Sequence, residues 1–421
     1  MLNYFRYLKN KELFIALYFL FFIFGYLVGV SDNFYNEFRI LEIIVLLILF
    51  FIGVVRNKKI SIVVDILFFS YLSIGCFFWV HPEFVVIELL TFYLLYNALL
   101  VIDYNVLITK IILWSSFYIF LLLPISIFSY LHIGVYRNWY PMPWNIRIYD
   151  SYFLVLSIFS IWFYLTEKKY RYIYLTFIFL AFLSILLDVG RSATIAYTLF
   201  ISVVCWYYKN SRLQLASVYL ITWAVYFLII AFTPLTALGS IIRGTTSGRY
   251  NLWLHAVHCW VKSPLIGCGF YQLDQYPNSP AHPHNLFLQI LSEIGLIGLC
   301  LLGYLIFFMI RGIKFKNKKF ILAALLAVSV DVSFSGIHIY PITQLLLLWL
   351  FAFFIKNPEF RSSSDFYVNY NKRKILIMGI NLFLYVIIAI VFLFLFKNTS
   401  FLSESLPLSP PRFWEYGYKL F

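Results

Sequence analysis

The chain has 421 residues, of which 63% are hydrophobic and 12% charged, with a mean hydropathy of +0.87 and a formal net charge of +14. A water-soluble globule needs more polar surface than this composition supplies, so a soluble fold is excluded. The positive balance does not indicate nucleic acid, because the basic residues sit in short stretches between long apolar runs, as in membrane proteins that orient by their charges.

The apolar runs recur near 13–30, 38–55, 60–80, 84–102, 106–131, 149–165, 170–188, 190–208, 213–234, 285–310, 320–337, 341–355 and 375–396. Most are long enough to cross a hydrocarbon core of ~30 Å as a helix, whose backbone satisfies its own hydrogen bonds. They are too long and too uniformly apolar for barrel strands. The fold class expected is therefore all-α, a polytopic transmembrane bundle of about 12–13 helices forming one membrane domain over 1–421. Residues 1–12 are basic and precede a long apolar run, which reads as a retained signal-anchor.

With the N-terminus in the cytoplasm, most Lys and Arg fall on the inner side, for example Arg56, Lys58 and Lys59, or Lys314, Lys316, Lys318 and Lys319. That pattern follows the positive-inside rule and places the tail, 397–421, outside. Two outer segments exceed a simple turn. The first, 132–148, is aromatic, with Tyr136, Trp139, Tyr140 and Trp144. The second, 235–284, is the one sizeable loop. Ser247-Gly248-Arg249 opens an amphipathic stretch with Trp253, Val257 and Trp260 on one face, the pattern of an interfacial helix. Pro264 stops it, and Gly267-Cys268-Gly269 turns the chain. Cys259 and Cys268 share this loop and could pair in an oxidising compartment, but free cysteines are the reading adopted.

Polar groups near the outer surface carry the most chemical weight, because burying them in a membrane protein is expensive. Arg191 sits in the short link Leu187-Asp188-Val189-Gly190-Arg191-Ser192, on the side where arginine is disfavoured. It reads either as an anion-binding group or as a helix-end arginine paired with Asp188. Arg243 and Arg249 precede or open the loop helix, whose start favours anions; either could equally be a solvated loop arginine. His282-Pro283-His284-Asn285 stands where the loop returns to the membrane, and a histidine there can take a proton from a hydroxyl or simply cap a helix. The two histidines lack a third ligand at suitable spacing, so no metal is expected. Asp274, Glu293, Asp331 and His338 read as structural. There is no Walker loop and no Gly-rich nucleotide fingerprint, so no nucleotide cofactor is expected.

His284, Asn285, nine residues, Gly295, two residues and Gly298 reproduce a pattern of the bacterial O-antigen ligases and polymerases, a superfamily this chain resembles. Gly190-Arg191-Ser192-Ala193, Ser247-Gly248-Arg249, Trp253 and Ser263-Pro264-Leu265-Ile266-Gly267-Cys268-Gly269-Phe270 resemble its upstream motifs. Together these cover about 188–300. The run near 375–396 is one more than ligases typically have, and the large loop is compact.

The resemblance implies metal-independent glycosyl transfer at the bacterial inner membrane, with the site facing the periplasm. The donor would be a glycan on undecaprenyl diphosphate and the acceptor a sugar of lipid A–core. His284 would be the general base, with Arg191 and Arg249 holding the diphosphate. Arg243, His282, Asn285 and Trp253 are the expected substrate contacts. No cofactor and no nucleic acid are implied. An O-antigen polymerase joining lipid-linked repeat units is the alternative, followed by a protein O-oligosaccharyltransferase. A glycolipid flippase would instead spread charges through the depth of the bundle.

Overall fold

A computed structural model of the chain describes residues 10–25, 34–55, 62–79, 82–134, 140, 146–233, 249–275, 282–311, 315–360, 374–398 and 413. Among these there is helix and turn but no strand. The helices are α1 (Asn10–Ile23), α2 (Phe34–Val55), α3 (Ile62–Gly75), α4 (Pro82–Val101), α5 (Val106–Ser115), α6 (Leu123–Ile133), α7 (Ile146–Thr166) and α8 (Arg171–Leu187). They continue with α9 (Arg191–Tyr207), α10 (Arg212–Ala231), α11 (Arg249–Lys262), α12 (Leu286–Arg311), α13 (Phe315–Phe334), α14 (Pro341–Lys356) and α15 (Lys374–Asn398).

Among the described residues every apolar run of the sequence contains helix, and the protein is an all-α polytopic bundle. Among the described residues six helices are long and apolar enough to cross a membrane, and five shorter apolar helices accompany them. The fifth run is interrupted. Between α5 and α6 the chain tightens into a 3-10 turn, Ser116–Leu122. Pro124 explains this, since its ring clashes with the carbonyl four residues back and it has no N–H to donate.

The centre of the bundle is α7, buried on all sides over 17 of its residues. A helix apolar all round has no solvent face to satisfy and belongs in the core. It packs on α8 and α14, with further contacts to α5, α9 and α13. Its first turns carry Arg147, Asp150 and Ser151 to one end of the bundle. Near that end Arg39, 1% exposed, bonds Glu42 (2.5 Å), Gln344 (2.6 Å) and the carbonyls of Ile339 and Phe413. Phe413, the one described residue beyond α15, thus lies against Arg39 of α2.

The loop helix α11 spans Arg249–Lys262, and the face it buries in the protein lies one residue from the Trp253, Val257 and Trp260 face read for the membrane interface. Leu252, Ala256 and Cys259 point inward. Trp253, Val257 and Trp260 flank that face, and the tryptophans use their indole N–H groups as clamps on the Pro283 and Pro264 carbonyls, each at 3.0 Å. Tyr250, Leu254 and Val261 are exposed, so an outward apolar strip remains for the membrane interface. Cys259 and Cys268 are joined by a disulfide, Cα–Cα 5.7 Å, which corrects the expectation of free cysteines. The helix register brings Cys259 over the returning chain, a placement that spacing alone does not reveal.

Candidate active site

The site is built where the α8–α9 turn, the start of α7, the start of α11 and the residues preceding α12 converge. The α8–α9 turn is held by two side chains, Arg147 and Tyr140. Arg147 Nη1 donates to Asp150 Oδ2 (3.0 Å) and to the carbonyls of Val189 (3.0 Å) and Asp188 (3.3 Å). The Tyr140 hydroxyl donates to Asp188 Oδ2, and its ring stacks on Tyr149 with centroids 3.9 Å apart. Val189 adopts φ 57°, a genuine outlier for a β-branched residue. Such strain persists only where the surroundings enforce it, and it clusters at functional sites.

Gly190 explains the Gly-Arg-Ser motif. A Cβ there would lie 2.6 Å from Asp150 Oδ2, so only glycine admits the carboxylate. Arg191 then opens α9, half-buried. Asp150 and Asp331 are 2% and 0% exposed, and the Oδ1 of each has no hydrogen-bond partner among the described residues. Asp331 Oδ2 accepts from Ser151 (2.7 Å), and the Ser192 hydroxyl lies beside the same carboxylate. Buried carboxylates therefore underlie the arginines.

Arg249 starts α11 above them. Burial lowers its pKa from the ordinary arginine value, and repulsion from Arg147 and Arg191 adds to the effect, opposed by Tyr340 and Asp331. Arg249 thus feels two further guanidinium groups in a half-buried space. Like charges so placed are stabilised by a multiply charged anion.

His284 lies next to this charge. Burial pushes its pKa down to about 4, and the positive charge of Arg249 pushes in the same direction. The imidazole is neutral at pH 7 and can accept a proton. Its backbone is left-handed, φ 51°, and is fixed on both sides. The His284 N–H donates to His282 Nδ1 (3.2 Å), and Trp253 holds the Pro283 carbonyl. Asn285 caps α12, its Oδ1 accepting from Leu288 N–H at 3.0 Å.

The first glycine of the long motif, Gly295, is explained by a break in α12. Gly295 has φ 74°, ψ −165°, a conformation essentially reserved for glycine. The break frees backbone groups that the Pro264–Cys268 segment satisfies. Leu296 N–H donates to Pro264 O (2.9 Å), Ile297 N–H to Leu265 O (3.2 Å), and Cys268 N–H to Ser292 O (2.7 Å). Gly267, φ 74°, lies so close that a Cβ would be 2.5 Å from the Glu293 carbonyl carbon. The two motifs are therefore two halves of one joint. That joint orients the first turns of α12, and with them His284.

Of the residues singled out in the sequence, the structure brings His284, Arg191 and Arg249 to one place. His282 is fully buried and supports the His284 backbone, while Asn285 and Trp253 act as cap and clamp. Arg243 lies outside the described residues. Asp331, read as a structural residue of a separate turn, sits under the site. Arg147 and Asp150 were missed. A signal existed, because Arg147 is another arginine on the outer side, where that residue type is disfavoured.

No curated protein matches the chain. Residues 176–303 match the family model described as O-antigen ligase, a stretch under a third of the chain that contains the α8–α9 turn, Arg249, the Pro264–Cys268 segment, His284 and the α12 joint. The match and the geometry within it support this protein's place in the superfamily of O-antigen ligases and polymerases.

Proposed function

We propose that the protein is an O-antigen ligase, transferring a glycan from undecaprenyl diphosphate to a sugar hydroxyl of lipid A–core on the periplasmic face of the inner membrane. The observation that carries this reading is the neutral, half-buried His284 beside Arg249, with Arg191 and Arg147 close enough to repel Arg249. His284 removes the acceptor proton as the acceptor oxygen attacks the anomeric carbon. The bond from that carbon to the diphosphate oxygen breaks, and undecaprenyl diphosphate leaves with the electron pair. Its developing charge is met by Arg191 and Arg249, with Arg147 behind them. Preorganised cations in a water-poor site do this without reorganising at the moment of reaction. They supply the neutralisation a divalent ion supplies elsewhere, so transfer is metal-independent in this reading. Binding of the diphosphate offsets the charge of Arg249 and so raises the basicity of His284 toward the value a general base needs. A disulfide in the loop agrees with an oxidising compartment.

The test is deletion of the gene and inspection of the lipopolysaccharide ladder. Loss of every O-chain band, with lipid-linked polymer accumulating, is the expected result. One repeat unit left on core would instead identify a polymerase, the second reading, and an unchanged ladder would remove both. Purified protein should keep its transfer activity in excess chelator.

A further inference from the structure

A second feature lies directly below the arginine turn. The side chains of Phe120, Leu123, Ile127 and Leu131, from the 3-10 turn and α6, face Leu180 and Leu183 of α8 across an apolar groove of about 440 Å³. That volume falls in the ~300–1,000 Å³ range of sites that bury small apolar ligands. The groove has a structural cause. The 3-10 tightening before Pro124 displaces α6, whose principal contacts are with that turn and with α10. The floor is firm, because Phe120 stacks on Phe153 at 5.0 Å and meets Phe177 edge-on at 5.7 Å. The side is open, since Leu121, Ile125 and Phe128 on the same stretch are each more than 60% exposed.

Its position selects the occupant. Leu183 and Leu180 precede Asp188 on one helix by five and eight residues, so at ~1.5 Å per residue they lie roughly 7.5 and 12 Å below the turn that presents Arg191. A lipid whose diphosphate rests on Arg191 must send its chain down into the bilayer from that point, and this groove offers a concave apolar surface on α8 along that path. We propose that the groove binds the isoprenoid chain of the lipid-linked donor, through the units nearest the diphosphate. This rests on the donor class proposed above.

The experiment compares two probes in lipid nanodiscs, undecaprenyl diphosphate and dimethylallyl diphosphate, whose single isoprene unit is too short to reach Leu183. Wild-type protein should bind the long probe at least tenfold more tightly. Ile127→Trp and Leu183→Trp, which fill the groove, should abolish that preference while leaving the short probe unaffected. If the wild type shows no preference, or the variants retain it in full, the groove proposal is overturned and the diphosphate site still stands. If the wild type binds neither probe, the donor class itself is wrong. A variant that binds neither has lost its fold, and the wild type then decides the matter. An undecaprenyl diphosphate carrying a diazirine in its second isoprene unit should label peptides within 116–131 and 176–187. Labelling confined to other helices would refute the proposal.

Discussion

Replacing Gly295 by alanine adds one methyl group at the joint between α12 and the Pro264–Cys268 segment, and the structure sets the size of the effect. The backbone conformation there, φ 74° and ψ −165°, costs a residue with a Cβ about 1–3 kcal/mol. The new Cβ would also lie 2.3 Å from the Leu265 carbonyl oxygen, a rigid backbone atom. Relief requires the segment to undock, which breaks the hydrogen bonds to Leu296, Ile297 and Cys268, each worth ~0.5–1.5 kcal/mol net. Strain and bonds are alternatives in part, so the local destabilisation expected is about 2–5 kcal/mol. At 1.4 kcal/mol per factor of ten, amide exchange at Leu296, Ile297 and Cys268 should accelerate by about 30- to 3,000-fold. Gly303→Ala is the control, because it lies on the same helix and its Cβ would meet nothing within 4 Å. In a helix interior that change is expected to be neutral or to stabilise by up to ~1 kcal/mol. Hydrogen–deuterium exchange read by mass spectrometry of the peptides covering 263–270 and 290–304 measures both variants. Exchange in Gly295→Ala indistinguishable from wild type would refute the joint as described. Because the joint orients α12, the same variant should also lose transfer activity.

The remaining predictions concern the site. A general base must be unprotonated, so transfer at limiting donor should be retained above the His284 pKa and lost as pH falls through about 4. His284→Gln should lower the rate ~10²–10⁴-fold at pH 7, and full activity in that variant would remove the base. Because its folded pKa lies below the ordinary value of ~6.5, His284 also costs stability as pH falls below 6.5 toward about 4, the unfolded chain taking up the proton first. Arg249→Gln removes one of the two depressing causes, so the His284 titration, followed by NMR, should move upward; an unmoved titration would contradict the contact. Arg147→Ala should destabilise by ~1–3 kcal/mol by leaving Asp150 unpaired, less than for a fully buried pair because Arg147 is 41% exposed. Adding Asp150→Asn should recover stability in thermal unfolding without recovering transfer, and recovery of both would mean Arg147 does not position Arg191. Reducing Cys259–Cys268, which closes a loop of nine residues' separation, should cost about 2–3 kcal/mol on the chain-entropy account and lower the melting temperature of the detergent-solubilised protein.

The sequence by itself determined what depends on short stretches of chain. Hydrocarbon forces each apolar run to satisfy its own backbone, so run length alone located the helices, including the one near 375–396. Gly190, Gly267, Gly295 and Gly298 were legible as motif positions, and His284, Arg191 and Arg249 as polar groups in places where polarity is costly. What the sequence could not supply was distance between segments. That Asp150 lies against Gly190, that Asp331 lies beneath Arg249 and that Pro264 caps a break beside Gly295 are contacts made across 31 to 82 positions of chain. Helical register was the other unknown. On α11 a shift of one residue, a rotation of about 100°, decided that Leu252, Ala256 and Cys259 face inward while the tryptophans serve as clamps. Local composition cannot fix such an angle, because it follows from what the helix packs on. The tertiary structure therefore turned a histidine and two arginines into a candidate site with a third arginine behind them and buried carboxylates beneath.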